Sequence, residues 1–421
     1  MTVVAHIGPP IAAMGGPAGY LAQVSAAFEG HRSAYEVLFP PRATAVAALP
    51  VSSSPWRSMA RRLRTAVWGG PAYFRPDADS IRREGGALAS LFTASMAGMR
   101  DANAASLANA RARGADVLFA HDLGGAEAAL SARAGAEVWL MLHAPMPLGL
   151  YLAWSWAVPE EAWRDILTFP DVRALVDREL DVCRRVDRII LPVPEAFDEL
   201  VRCDARFESL RPRVTYVMTG ARRSVAAAAP TPTRSDARAR FGLPLDQPVG
   251  LFVGNHEPYR GLDRLVAGLE AMDDPRVVPG CVAVAGPDPG RVAGNSRIRA
   301  LGRVNDVPLL LTAVDFVVNV NRFSLFDLSI IEALEAGKPL LMHATGGNRA
   351  FARLGAGCDM LPDLEAGSIA AGLERMFTLR KPELATMSRR SRACYDAHLT
   401  LDAFRLAHER LYETARSKVS A

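Results

Sequence analysis

The stretch from Val314 to Asn348 constrains this chain more than any other. Val314–Val320 is a short, largely apolar, β-branched run, the pattern of a buried strand. A polar loop, Asn321–Asp327, follows. Leu328–Ala336 reads as a helix that stops at Gly337, where helix C-termini favour glycine. Pro339 then leads into a second strand, Leu340–His343. The order strand, loop, helix, strand puts the loop at the carboxyl end of the first strand, which is where open α/β sheets bind ligands.

A chain of 421 residues exceeds what one core ordinarily supports and suits two domains. Its hydrophobic content of 50% and charged content of 22% are those of a folded protein in water. The net charge of +4 is small for this size and gives no case for nucleic acid. Only three of the basic residues are lysine (Lys338, Lys381, Lys418), a bias of composition toward arginine. The cysteines, Cys183, Cys203, Cys281, Cys358 and Cys394, are odd in number, far apart and without a CxxC pair. Free thiols in a reducing compartment are the expectation, with no metal site. The N-terminus MTVVAHIGPP lacks a basic region followed by an apolar one, so no signal peptide is expected. Val138–Val158 has no Asp, Glu, Lys or Arg, but His143, Pro145, Pro147 and Gly149 interrupt it. It reads as a buried strand and a loop, not as a membrane span.

In chain order, Val3–Ile7 is a strand, and Gly8–Gly19 is a loop containing Gly15, Gly16 and Gly19, with a helix expected from about Tyr20. Such a loop can bring a phosphate to the N–H groups of a helix N-terminus, or its glycines can serve a turn alone. Its spacing fits neither GxGxxG nor the P-loop. Tyr35–Phe39 is the second strand. Residues 56–83 interleave arginines with Trp56, Met59, Leu63, Val67 and Trp68. An interfacial segment meeting an anionic membrane or a lipid-linked acceptor is one reading. A solvated helix face with one apolar stripe is the other. The strand Ala115–Ala120 ends at His121 and Asp122, and the strand Glu137–Leu142 ends at His143, so these residues stand on a strand-end rim. Trp154, Trp156 and Trp163 can stack on sugar rings or pack in a core. Asp187–Leu191 and Val214–Val217 close the first domain.

Ala226–Ser235 is a Pro/Ala/Thr linker. The expected domains are 1–222 and 240–401, joined by 223–239, with a last helix at 402–416. The second domain opens with the strand Val249–Val253, the loop Gly254-Asn-His-Glu-Pro-Tyr-Arg-Gly261 and a helix from Leu262 to Met272. Val282–Gly286 is its next strand.

These residues resemble the retaining glycosyltransferases of family 4, whose fold is GT-B: two Rossmann-like α/β domains facing each other across a cleft. The resemblance covers nearly the whole chain. It is strongest from Val249 to Asn348 and weak from 51 to 110. The family pairs a first glutamate with a second one, eight positions on, that opens EA-x-A-x-G-x-P. Here Glu332, Ala333, Gly337 and Pro339 keep the second half, Ser324 stands at the first glutamate, and Asp327 at the glycine three further on. The loop from Gly254 to Gly261 matches GR-x-x-x-x-KG in length and in both glycines, with Asn255 for the arginine and Arg260 for the lysine.

The resemblance implies a metal-independent transfer from a nucleotide-activated sugar to a glycan or lipid-linked acceptor, with retention and without a cofactor. The donor's own phosphate would help deprotonate the acceptor hydroxyl. A cation beside a helix N-terminus stabilises a leaving diphosphate, and Arg260 meets that need. Glu332 would hold the ribose, with Ser329-Ile-Ile-Glu332 as a capping box the alternative reading of that carboxylate. Leu328 and Ser329 belong to the same helix start. Leu301-Gly-Arg303-Val304 resembles the segment that bonds the base. Gly15 and Gly16 match a glycine pair facing donor diphosphate and acceptor. His143 would lie near the reacting carbon, with His121 and Asp122 beside the acceptor. Ser324 would meet the donor sugar, with Asp327 or Arg322 making up for what the family has and this chain lacks. A cytoplasmic setting, with contact at the inner membrane face through 56–83, follows from the same analogy. A catalytically silent protein that binds a nucleotide sugar or glycan as scaffold or sensor is the competing reading. A nucleotide-sugar epimerase of the same architecture finds no acid/base pair to support it.

Overall fold

The computed structural model describes residues 1–11, 16–42, 85–154, 166–223, 232–254, 258–272, 278–286 and 294–419. The chain divides into two compact units. One comprises residues 1–191, 200–215 and 408–421, and the other residues 192–199 and 216–407.

The first unit begins with β1 (Val3–Ile7), α1 (Pro17–Phe28), β2 (Glu36–Leu38), α2 (Gly85–Ala112), β3 (Val117–Ala120) and α3 (Leu123–Ala132). It continues through β4 (Glu137–Met141), α4 (Leu148–Trp154), α5 (Pro170–Arg185) and β5 (Arg188–Leu191), and after α6 (Pro194–Cys203) the chain reaches β6 (Val214–Tyr216). The strands form a sheet of order β2-β1-β3-β4-β5-β6, with parallel pairing from β2 to β5. Central strands covered on both faces read as continuous apolar runs, and β3 does so, as does β5 after Arg188. The start of α1 lies at Pro17, earlier than Tyr20. Proline suits a first helical position because its missing N–H would have no partner there. On α5, Val172, Leu175, Val176, Leu180 and Cys183 form the buried stripe expected of a helix lying on a sheet. The uncharged run from Val138 is β4, a loop and α4 as far as it is described.

The second unit contains α7 (Arg234–Phe241), β7 (Val249–Val253), α8 (Leu262–Glu270), β8 (Cys281–Ala285), β9 (Ile298–Gly302), α9 (Val307–Ala313) and β10 (Phe316–Asn319). Then come α10 (Leu328–Glu335), β11 (Leu340–His343), α11 (Gly346–Arg353), β12 (Cys358–Leu361), α12 (Ala366–Thr378), α13 (Lys381–His398) and α14 (Leu401–Val419). The parallel sheet has the order β12-β11-β10-β7-β8-β9. Phe252, Leu265, Val282, Phe316, Val318, Leu341, Ile369 and Phe377 form the core between sheet and helices. From His408 onward, α14 groups with the first unit.

Strand order decides where ligands can bind. In the second sheet the chain winds outward from β7 in one direction and from β10 in the other, so the topological switch lies between these neighbours. The loops leaving β7 and β10 diverge there and open a crevice. In the first sheet the switch lies between β1 and β3. The residues that carried the sequence argument sit just past those four strands or beside them. Among the described residues, no helix is long and apolar enough to cross a membrane, and no group of His, Cys, Asp or Glu is arranged to hold a metal ion.

Candidate functional site

In the second unit the site is built on the start of α10. Asp327 is its N-cap residue, but its side chain does not cap the helix. Its Oδ2 instead accepts hydrogen bonds from Arg260 Nη1 (2.7 Å), Asn321 Nδ2 (2.6 Å) and Asn319 Nδ2 (3.2 Å). The N–H groups of Ile330 and Ile331 bond to the Asp327 carbonyl, leaving those of Leu328 and Ser329 without partners among the described residues. Uncommitted N–H groups at the positive end of a helix favour an anion.

Arg260 supplies the cation. It lies in the turn Pro258–Arg260 between β7 and α8, with its Cζ 5.0 Å from the centre of the Tyr259 ring. Burial works against its charge, but Asp327 and Tyr259 together outweigh that and raise its pKa, so Arg260 is held charged. Its Nε is buried without a partner among the described residues, close to Gly254, where a Cβ would lie 3.7 Å from it. Gly254 has φ +150°, which favours glycine. Gly261 is the N-cap of α8 in the left-handed conformation, and a Cβ there would meet the Val320 carbonyl oxygen at 2.1 Å. The second glycine of the loop is thus required by the end of the signature strand lying against it. Asn255 lies outside the described residues.

Glu332 stands one turn along α10 from Leu328. It is half-buried, and its carboxylate has no hydrogen-bond partner among the described residues. Burial raises its pKa, and Glu335 adds to this. The capping-box alternative does not hold, because Ser329 is the second residue inside the helix and Asp327 the cap. Arg303 is exposed just past the end of β9, and Val304 beside it is half-buried.

Ser324, at the position of the family's first glutamate, and Arg322, expected as a replacement cation, are both committed elsewhere. Ser324 is 1% exposed, and its hydroxyl donates to Asn348 Oδ1 at 2.9 Å. Asn348 Nδ2 donates in turn to the Asn319 side chain (3.2 Å) and the His343 carbonyl (3.0 Å). Ser324 therefore joins a buried tie between the loop and the start of α11, where Gly346 and Gly347 leave no room for a Cβ against Ser324 and Leu325. Arg322 is not available as a replacement cation: Asp263 holds it through two bonds, at 2.8 and 2.6 Å. Asp327 is the nearer acceptor, but it is engaged with Arg260.

In the first unit, Gly16 precedes α1 at φ 75°, with open space where a Cβ would lie. Gly15 and Trp156 and Trp163 lie outside the described residues, as do the segment 56–83 and most of the linker. Asp122 caps α3: its Oδ1 accepts from Gly125 N at 2.6 Å, and the Asn103 amide reaches both of its oxygens. That role is structural. His121 and His143 are hydrogen-bonded, Nδ1 to Nε2, at 3.1 Å. His121 is buried and His143 is half-buried, and both have lowered pKa values, His143 about 3, with burial the first cause.

Sequence reasoning missed Asp263, Asn319 and Asn348, and also His6 and Tyr412, which extend the histidine pair inward. A polar residue inside a strand run, as His6 is in VVAHI and Asn319 in FVVN, was the available signal.

Residues 247–378 match the family model described as glycosyl transferases group 1. A D-inositol 3-phosphate glycosyltransferase of Streptomyces avermitilis is 29% identical over 197 residues, 42% of this chain and 41% of that protein. The same enzyme of Mycobacterium bovis is 28% identical over 193 residues. The chain thus spans about two fifths of the length of these curated relatives. Among solved structures, sucrose-phosphate synthase from Thermosynechococcus elongatus aligns over 99% of this chain and 100% of its own, with TM-score 0.62 and 18% identity. Anabaena HepE in complex with UDP-glucose covers 98% of this chain and 100% of its own, with TM-score 0.61 and 16% identity. The family match thus falls within the second domain, and the chain as a whole has the two Rossmann-like parallel-sheet domains of the GT-B fold.

Proposed function

We propose that this protein is a retaining glycosyltransferase that moves a sugar from a nucleotide-activated donor to a glycan or lipid-linked acceptor. One observation carries the reading: among the described residues, Arg260 has an unpartnered Nε and lies beside the uncapped start of α10, and Glu332, its carboxylate without a partner there, stands one turn further on. A nucleoside diphosphate has what such a set lacks, phosphate oxygens for the cation and helix N–H groups, and ribose hydroxyls for the carboxylate. In the proposed reaction Arg260 and the N–H groups of Leu328 and Ser329 stabilise the leaving diphosphate as its charge develops. Gly254 allows close approach, Arg303 and Val304 flank the base, and the donor's phosphate takes up the acceptor proton, so no strong protein base is needed. No metal is assigned a role. UDP is the first nucleotide to try, because HepE binds UDP-glucose.

The second reading, a silent binding protein, draws on Ser324. Its hydroxyl is turned into the protein, so the carboxylate that family members place there has no counterpart in that side chain.

Calorimetry against UDP, GDP, TDP, ADP and CMP, repeated with Arg260→Ala and Glu332→Ala, tests the donor site. Binding of one nucleotide that both substitutions weaken supports it; no binding by the wild type removes it. Release of nucleotide from the matching sugar donor in the presence of acceptor extracts then separates transfer from silent binding.

A further inference from the structure

Four side chains of the first unit form one hydrogen-bonded chain. His143 Nε2 meets His121 Nδ1 at 3.1 Å, His121 Nε2 meets His6 Nδ1 at 2.8 Å, and His6 Nε2 meets Tyr412 Oη at 2.9 Å. The sheet sets this order. His6 is in β1, His121 follows β3, His143 follows β4, and Tyr412 comes from α14. His6, His121 and Tyr412 are no more than 1% exposed.

The direction of the chain follows from counting protons. A neutral imidazole has one N–H and one bare nitrogen, so each histidine donates on one side and accepts on the other. Burial and neighbouring histidines keep His6 and His121 neutral. Tyr412 breaks the tie. Its hydroxyl has one hydrogen-bond partner among the described residues, His6 Nε2, and its ring packs against those of Phe28, Tyr35, Trp139 and His408. If it accepted from His6, its own proton would be buried without an acceptor, which proteins avoid. So Tyr412 donates to His6 Nε2. His6 then carries its proton on Nδ1 and donates to His121, and His121 does the same toward His143.

His143 Nε2 is thereby an acceptor, and its proton is left on Nδ1, the open end of the chain, which has no partner among the described residues. We infer that Tyr412, acting through His6 and His121, is a positioning residue that fixes the proton of His143 on Nδ1, so that His143 presents a neutral N–H donor to a hydroxyl oxygen of a sugar ligand at the carboxyl end of β4. With Nε2 turned inward and Nδ1 protonated, His143 is a donor there and not a base. This holds whichever nucleotide binds the second domain. Tyr20, whose ring meets His143 edge-on at 5.0 Å, has its hydroxyl directed to His408 Nε2 and does not enter the chain.

Long-range ¹H–¹⁵N correlation spectra of the full-length protein labelled with [¹⁵N]histidine, at pH 7, decide the matter. Signals are assigned by single His→Gln replacements. The expected wild-type pattern is a protonated Nδ1 and a bare Nε2 for His6, His121 and His143. Tyr412→Phe removes the proton that sets the direction, and in it the Nε2–H form of His143 rises to at least about half, because free imidazole prefers that tautomer. A wild-type His143 protonated on Nε2, or on both nitrogens, overturns the inference. So does a Tyr412→Phe spectrum identical to wild type. The wild-type pattern stands by itself if the variant fails to fold, and His6→Gln is the second way to break the chain.

Discussion

Ser324 Oγ donates to Asn348 Oδ1 across 2.9 Å, with neither side chain more than 1% exposed. The serine that stands where the family has a glutamate is therefore part of the scaffold. Ser324→Ala leaves a buried amide oxygen unsatisfied and is expected to lower stability by about 1–3 kcal/mol, while nucleotide affinity stays within about twofold of wild type. Ser324→Glu is expected to restore nothing. It places a carboxylate in a full, buried position and destabilises more than the alanine does. Urea melts of both variants, alongside calorimetry, check this; a more tightly binding Ser324→Glu contradicts it.

Arg260→Ala removes the cation from the start of α10 and leaves Asp327 with only amide donors. Loss of one charge-assisted hydrogen bond is worth about 1.5–3 kcal/mol, so nucleoside diphosphate affinity is expected to fall about 10- to 150-fold. Nucleosides without phosphate should lose nothing. An equal loss for both by calorimetry would show that the substitution disturbs the loop instead.

Glu332 can be tested against its proposed ligand atoms. Wild type is expected to prefer a ribonucleotide to its 2′-deoxy counterpart, and Glu332→Ala to lose most of that preference. Relieving a half-buried carboxylate that has no partner among the described residues should leave the variant at least as stable as wild type. Competition between the two nucleotides gives the ratio, and unchanged discrimination in Glu332→Ala refutes the role.

Gly261→Ala is expected to be severe. The residue has φ 71°, and a Cβ would lie 2.1 Å from the Val320 oxygen. The left-handed conformation alone costs about 1–2 kcal/mol for an L-residue, and the clash adds to it. Gly16→Ala shares the positive φ but meets open space, so its cost should be the smaller. Thermal melts of the pair separate conformation from contact.

Stability should vary with pH in two opposed ways. Burial lowers the pKa values of His6, His121 and His143, the last to about 3. The unfolded chain then binds more protons, and stability falls as pH drops below about 6.5, by up to about 1.4 kcal/mol per unit for each histidine. Glu179 is pushed up to about 8 by burial, against the hydrogen bond from Leu148 N, so the folded state holds its proton. That contribution is full below about 4.5 and is lost as pH rises toward 8. Glu179→Gln is expected to flatten the alkaline side of the profile and His121→Gln to shallow the acid side. Urea melts from pH 4 to 8 measure both slopes.

Much of the fold was legible because buried parallel strands are written as unbroken apolar runs. Val3–Ile7, Val249–Val253 and Leu340–His343 have the same bounds in the structure. The frame of the site was legible too, since Gly254, Arg260, Gly261 and Glu332 lie in short loops and first turns where spacing constrains geometry. What sequence could not supply was the partner of each polar group. Arg322 finds Asp263 59 positions away, and His6 finds Tyr412 406 positions away. Ser324 and Arg322 look free for ligands in a linear reading because their partners arrive only when strands far apart in sequence lie side by side. Asp122 next to His121 looked like a ligand group for the same reason, and Asn103 claims it from α2.

The pairing of Arg260 with Asp327 means that the cation of the proposed donor site is already compensated before anything arrives. A bare arginine would radiate a positive field, draw in any phosphate and lose its grip as salt rises. A compensated one has little reach: ligands arrive by unassisted diffusion, and inorganic phosphate gains nothing from long-range attraction. Selection then falls to close fit, since an incoming diphosphate must do better than the hold of solvent on the first N–H groups of α10. In the proposed donor site, discrimination between a nucleotide and free anions would thereby rest on a counter-charge the protein carries for itself.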